Sequence, residues 1–214
     1  MFRLFFCFSL SFLLFSSCKK DDASTQNIEE ENFYALTVGN TWEYEVSRYN
    51  SISEEYELLD MLLKVEITES QVVNNNTYFR FQTTSTGTDT CQPCIDCLGN
   101  NELKRDSLGY LINDTGKYLF SSENLEDYLV NSAQWGSVYG VLKEEPEFIS
   151  TPAGNFETFQ NDRYAVFPDG ELADSRDVIN YAPENGLVYI TLSGVTNPIP
   201  LYKISLKSLS IIED

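Results

Sequence analysis

From Phe33 onward the apolar residues come in short runs at alternate positions, the period of a half-buried strand. Thr41–Val46 places Trp42, Tyr44 and Val46 on one face and Thr41, Glu43 and Glu45 on the other. Leu62–Thr68 repeats this with Leu63, Val65 and Ile67 against Lys64, Glu66 and Thr68. Asn74-Asn75-Asn76 signals a turn, after which Tyr78–Phe81 resumes extended chain. Asn113–Gly116 predicts a hairpin between 108–112 and 118–121, and Pro168-Asp169-Gly170 predicts another after 163–167. Segments 178–181, 187–192 and 201–209 complete the set, the last with Ile204 and Leu206 on one face. Ser122–Val130 is the best helix candidate, with Ser122 as N-cap before Glu123, Glu126 and Asp127. About nine to eleven strands without βαβ alternation predict a mainly β domain with one short helix.

The first residues follow a different pattern. Met1-Phe2-Arg3 is a short positive start, and residues 4–15 are apolar except for Ser9 and Ser11. Twelve helical residues rise about 18 Å, short of a hydrocarbon core of about 30 Å, so the segment reads as a secretory signal covering residues 1–17. Phe15-Ser16-Ser17-Cys18 resembles a bacterial lipobox, with Phe15 in place of the usual leucine. That resemblance implies cleavage before Cys18 and its acylation, the membrane being the partner so contacted. Lys19-Lys20-Asp21-Asp22 resembles the surface-export signal of Bacteroidota-type lipoproteins. It implies an outer-membrane anchor facing the exterior, the periplasmic face being the alternative. Residues 18–32 then read as the acylated cysteine and a polar, acidic tether, and residues 33–214 as a single β-rich domain.

Three short segments of that domain carry a further resemblance. Leu36–Tyr44 (LTVGNTWEY), Thr151–Thr158 (TPAGNFET) and Tyr181–Val188 (YAPENGLV) are similar, in order, to segments of uncharacterised bacterial lipoprotein domains. Such domains resemble the half-open barrel of Lol-type lipoprotein carriers. The resemblance implies a strongly curved antiparallel sheet with a helix near its concave side, and no particular activity. Read physically, Gly39-Asn40 and Ala153-Gly154 suit turns, while Trp42, Phe156 and Leu187 suit the core.

Composition then removes whole classes of function. The chain has 33 acidic and 14 basic residues, a net charge of −19, and no histidine. A nucleic-acid binder needs clustered Lys and Arg, and Ser-His-Asp, Cys-His and His-ligated zinc chemistry all need imidazole. Removing the signal leaves 13 basic and 33 acidic residues and a charge of −20, with thirteen Tyr against eight Phe. Rings with hydroxyls suit strands whose one end is wet.

Cys91-Gln92-Pro93-Cys94-Ile95-Asp96-Cys97 is the remaining chemistry, in a polar stretch read as a loop. A local disulfide with the third thiol free suits an oxidising envelope. A zinc site would need Asp89, Asp96 or an outside group as fourth ligand, and an iron–sulfur site lacks its fourth cysteine. A thioredoxin-type pair needs a helix N-terminus in a βαβ context, which the pattern lacks. Asp169, Glu171, Asp174 and Asp177, and separately Asn113 and Asp114, offer oxygens to calcium without EF-hand spacing. Asp106-Ser107-Leu108 resembles a Bacteroidota O-glycosylation site. The expectation for function is a non-catalytic envelope binding module without cofactor, taking an apolar ligand, a glycan or a protein partner. A carboxylate-based glycan hydrolase and a purely structural component are the alternatives.

Overall fold

The computed structural model describes residues 32–212. Its centre is β1 (Thr41–Asn50), which pairs with β2 (Glu55–Val73) on one side and β13 (Tyr202–Ser210) on the other. Beyond β2 follow β3 (Asn76–Gly87), β4 (Glu102–Ser107), β5 (Tyr110–Asn113) and β6 (Tyr118–Ser121), each beside its sequence neighbour. Before β3 gives way to β4, the chain forms one helix, α1 (Gln92–Leu98). Beyond β13 follow β12 (Gly186–Leu192), β11 (Leu172–Ala182), β10 (Gly154–Val166), β8 (Gly136–Leu142) and β7 (Tyr128–Ala133). The short β9 (Glu147–Thr151) pairs with the first half of β10. All pairings are antiparallel, and the result is the curved, mainly β sheet that the alternation predicts.

The inward faces are those read from the pattern. Trp42, Tyr44, Val46, Leu63, Val65, Ile67, Ile204 and Leu206 are all buried in one cluster. Burying each such side chain contributes roughly 1.5–3 kcal/mol, which favours this register over a one-residue slip that would turn every ring outward. The three similar segments turn out to be joints of this architecture. Gly39 (φ 97°) turns the chain into β1, and the buried Asn40 then ties two chain ends together: its amide donates to the Ala35 carbonyl and its oxygen accepts from the Ile212 N–H. Trp42 Nε1 donates to the Asn185 carbonyl at 2.6 Å and Tyr44 Oη to the Leu187 carbonyl at 2.9 Å, so the first and third segments meet across 143 residues. Gly186 (φ 82°) lies against the Trp42 ring, which a Cβ there would approach to 3.1 Å. Phe156 and Leu187 pack half-buried against the same cluster.

The sheet curls until β6 lies across its concave side from β10, whose backbone at 161–163 is already laddered to β8 and β11. Asn161 bridges the two strands through its side chain. Its side-chain oxygen accepts from the Ser121 N–H and from Tyr128 Oη, and its amide donates to the Ser121 carbonyl. One stride further, Arg163 Nη2 donates to the Leu119 carbonyl at 2.7 Å. Two side chains of β10 thus tie β6 to a strand with which it shares no ladder.

The helix lies where the pattern was read as a loop. Ser122–Val130 is not helical: Ser121 and Asn124 close a short turn, and Tyr128 and Val130 alternate inward along β7. An isolated nine-residue helix gains too little to nucleate, and a β8 ladder beside aromatic and β-branched residues outcompetes it. The actual helix has Cys91 as its N-cap, whose sulfur accepts from the Cys94 N–H, Pro93 in its first turn, and Cys94 and Leu98 buried one turn apart. Among the described residues thirteen strands form rather than nine to eleven, because 128–151 folds as three short strands and 102–107 adds β4. Among the described residues no helix is long and apolar enough to cross a membrane.

Candidate functional site

The concave side of the sheet is largely filled. α1 packs Cys91, Cys94 and Leu98 into the core cluster, and Phe33, Tyr34, Phe120, Phe159 and Tyr181 form an edge-to-face aromatic group beside it. Between Trp42, Tyr44, Phe81, Leu98 and Leu187 remains only about 20 Å³, room for one water. An apolar ligand therefore finds no ready-made space among these rings.

A larger cavity, about 110 Å³, lies beside the side-chain seam. Four parts of the fold build it: Asp96 and Cys97 from α1, Glu102 and Lys104 from β4, Lys117 and Leu119 from the β6 side, and Arg163 from β10, with Ile179, Tyr181, Leu187 and Ile190 behind them.

Lys104 is buried, yet its ammonium is well served. It donates to the Leu98 carbonyl at 2.9 Å, pairs with Glu102 at 3.5 Å, and sits 4.6 Å from the centre of the Phe81 ring. Burial pushes its pKa below the usual lysine value, while Glu102 pulls the other way. Lys117, at the exposed rim, is also lowered, first by desolvation and then by the nearby Arg163 charge. The carboxylates are committed elsewhere. Glu102 accepts from Asn113 Nδ2 at 2.9 Å besides pairing with Lys104, and Asp96 accepts from Gln92 at 2.7 Å. Asp177, opposite Arg163 on β11, accepts from Ser193 and Thr191 and is itself raised, chiefly by burial. These acids are held in place by the donors they accept from.

The cysteines divide in two. Cys91 and Cys94 are joined as a disulfide at the start of α1, deep in the core, while Cys97 is a thiol facing the cavity. Its Sγ donates to the Cys94 carbonyl at 3.2 Å. Cys97 keeps some accessible area because it lines the cavity, but protein crowds it elsewhere, and burial pushes its pKa up to about 12 against the pull of Arg163 and Lys104. It is a protonated thiol at neutral pH. Among the described residues no group of three or more Cys, Asp or Glu comes together to hold a metal ion.

Of the site residues read from the sequence, the structure brings Cys91, Cys94 and Cys97 onto one helix and only Cys97 into the cavity. Cys18 and the Lys19-Lys20-Asp21-Asp22 run lie outside the described residues. The cavity cations Lys104, Lys117 and Arg163 were not singled out. The one available signal was their type: each is a basic residue in a strongly acidic chain, Lys104 next to apolar Leu103 on a strand.

No protein-family model and no curated protein sequence matches the chain. Two solved structures are similar in fold. One is a protein of Bacteroides fragilis NCTC 9343 described as exported and YmcC-like in fold, at 11% identity and a TM-score of 0.48. The other is a protein of Parabacteroides distasonis ATCC 8503 described as a lipoprotein, at 17% identity and a TM-score of 0.45. Each alignment covers 85% of this chain and 100% of the other.

Proposed function

We propose that this is a lipid-anchored envelope protein, acylated at Cys18 and carried by residues 18–32 on the outer face of the outer membrane, whose β domain binds a small ligand without transforming it. The lipobox-like Phe15–Cys18 and the Lys19–Asp22 run support the anchor and its orientation. The observation that carries the binding role is the cavity of about 110 Å³ at the seam: it is the opening left once rings and α1 have filled the apolar interior. Its lining carboxylates, Asp96 and Glu102, each accept a hydrogen bond from a neighbouring side-chain amide, which holds them in place beside a ligand.

Metabolic labelling with an alkyne palmitate tests the anchor: wild type takes up label, and equal uptake by Cys18→Ala defeats it. Protease added to intact cells removes the surface domain, whereas resistance that ends on lysis places it in the periplasm. The binding role predicts that at least one of four probes (butanol, butyrate, butyl phosphate and butylamine) contacts the protein in saturation-transfer NMR. Silence from all four overturns it.

A further inference from the structure

The cavity holds an imbalance of donors. Arg163 spends Nη2 on the Leu119 carbonyl, but its Nε is buried with no hydrogen-bond partner. A guanidinium does not shed its proton, so this donor persists at any physiological pH. Lys117 also lines the cavity, and among the described residues its ammonium has no hydrogen-bonding or ion-pairing partner. Both stand beside Lys104, so that three of the 14 basic residues in a chain of charge −19 border one space. Of the neighbouring acids, Glu102 pairs with Lys104 and its charge also acts on Lys117, while Asp96 accepts from Gln92 and Asp177 from Ser193 and Thr191. The guanidinium donor left for an incoming acceptor is Nη1, which has no hydrogen-bond partner among the described residues and is not shut off as Nε is. Leu119, Ile179, Leu187 and Ile190 form the opposite, apolar wall.

We propose that this cavity binds a small organic oxyanion, a carboxylate or phosphate ester on a short apolar body, with its head between Arg163 and Lys117 and its body against Leu119, Ile179, Leu187 and Ile190. The inference rests on the ligand-binding reading above and names the chemical class of that ligand. A planar carboxylate or a phosphate oxygen accepts from guanidinium and ammonium at once, and charge-assisted bonds of this kind are the strong ones. Lys104 acts behind the head, its charge held in place by Glu102 and the Leu98 carbonyl.

The test uses full-length protein in detergent at low ionic strength, with dissociation constants of butyrate, butyl phosphate, butanol and butylamine measured by equilibrium dialysis on wild type and on Lys117→Met. The expected result is binding of at least one of the two anions, weakened about tenfold by Lys117→Met and by added salt, with butanol unchanged by the substitution. Whichever anion binds tighter names the head group. Arg163→Gln is expected to weaken the anion by a similar factor. Since that change also touches the seam, Lys117 at the exposed rim is the deciding variant. Anion binding indifferent to Lys117→Met, or butanol and butylamine bound at the cavity as tightly as the anions, overturns the oxyanion proposal while leaving a ligand cavity. Absence of binding by all four probes removes the cavity reading as well.

Discussion

The two sides of this curved sheet are held by different physics. On one side, β2, β1, β13 and β12 run as long neighbours, with backbone ladders between them and Trp42, Tyr44, Val46, Leu63, Ile67, Ile204 and Leu206 packed beneath. On the other, the hydrogen bonds between β6 and β10 come from the Asn161 and Arg163 side chains rather than from a ladder. The first arrangement is redundant: many apolar contacts and the backbone ladders share the work. The second is concentrated in a few directional bonds. The cavity of about 110 Å³ opens beside these side-chain bonds, which ties the candidate site to them rather than to the well-packed wall.

Substituting on each side measures that difference. On the wall, Trp42→Ala removes a buried ring, its stacking on Phe81 and its bond to Asn185, and is expected to cost about 3–5 kcal/mol in denaturant unfolding. A negligible change in the midpoint breaks the account of the wall as the main store of stability.

Where α1 crosses from wall to cavity, Cys97 reports how tightly the seam side is sealed. Burial raises the thiol's pKa, so its protonated form is the one favoured by folding, and thiolate accumulates only as the pH nears about 12. At pH 9, where an ordinary thiol of pKa 9.0 is half ionised, Cys97 is ionised to about one part in a thousand. Alkylation by iodoacetamide at that pH, followed at the Cys97 peptide, is expected to be slower by that order in folded protein than in urea. Equal rates mean an open seam and a solvated cavity.

At the seam itself, Asn161→Leu keeps the side chain's size and strands the Ser121 N–H, the Ser121 carbonyl and Tyr128 Oη. A loss of about 2–3 kcal/mol is expected, with faster amide exchange in β6 and β7 than in β1 and β13. A cost matching Trp42→Ala with uniform exchange would erase the contrast between the two sides.

Alternation along the chain was enough to identify the wall. Trp42, Tyr44, Val46, Leu63, Val65, Ile67, Ile204 and Leu206 all face inward as their period-two spacing requires, because burial of a strand face is a property of neighbouring residues and survives in any context that pairs them. The turns at Asn113–Gly116 and Pro168–Gly170 were legible for the same local reason. Charge and the missing histidine narrowed the chemistry without placing it. What only the folded chain decided lies at the seam. Ser122–Val130 carries a helix cap and acidic first turn, yet a β8 partner supplied from further along the chain makes Tyr128–Ala133 a strand. Cys91–Cys97 looks like a polar loop until the concave side offers Cys94 and Leu98 somewhere to be buried. Lys104, Lys117 and Arg163 come from three separate segments, and nothing in the sequence near any of them refers to the other two. Their convergence follows from the curvature that brings β4, the β6 side and β10 around one space, which no local pattern encodes.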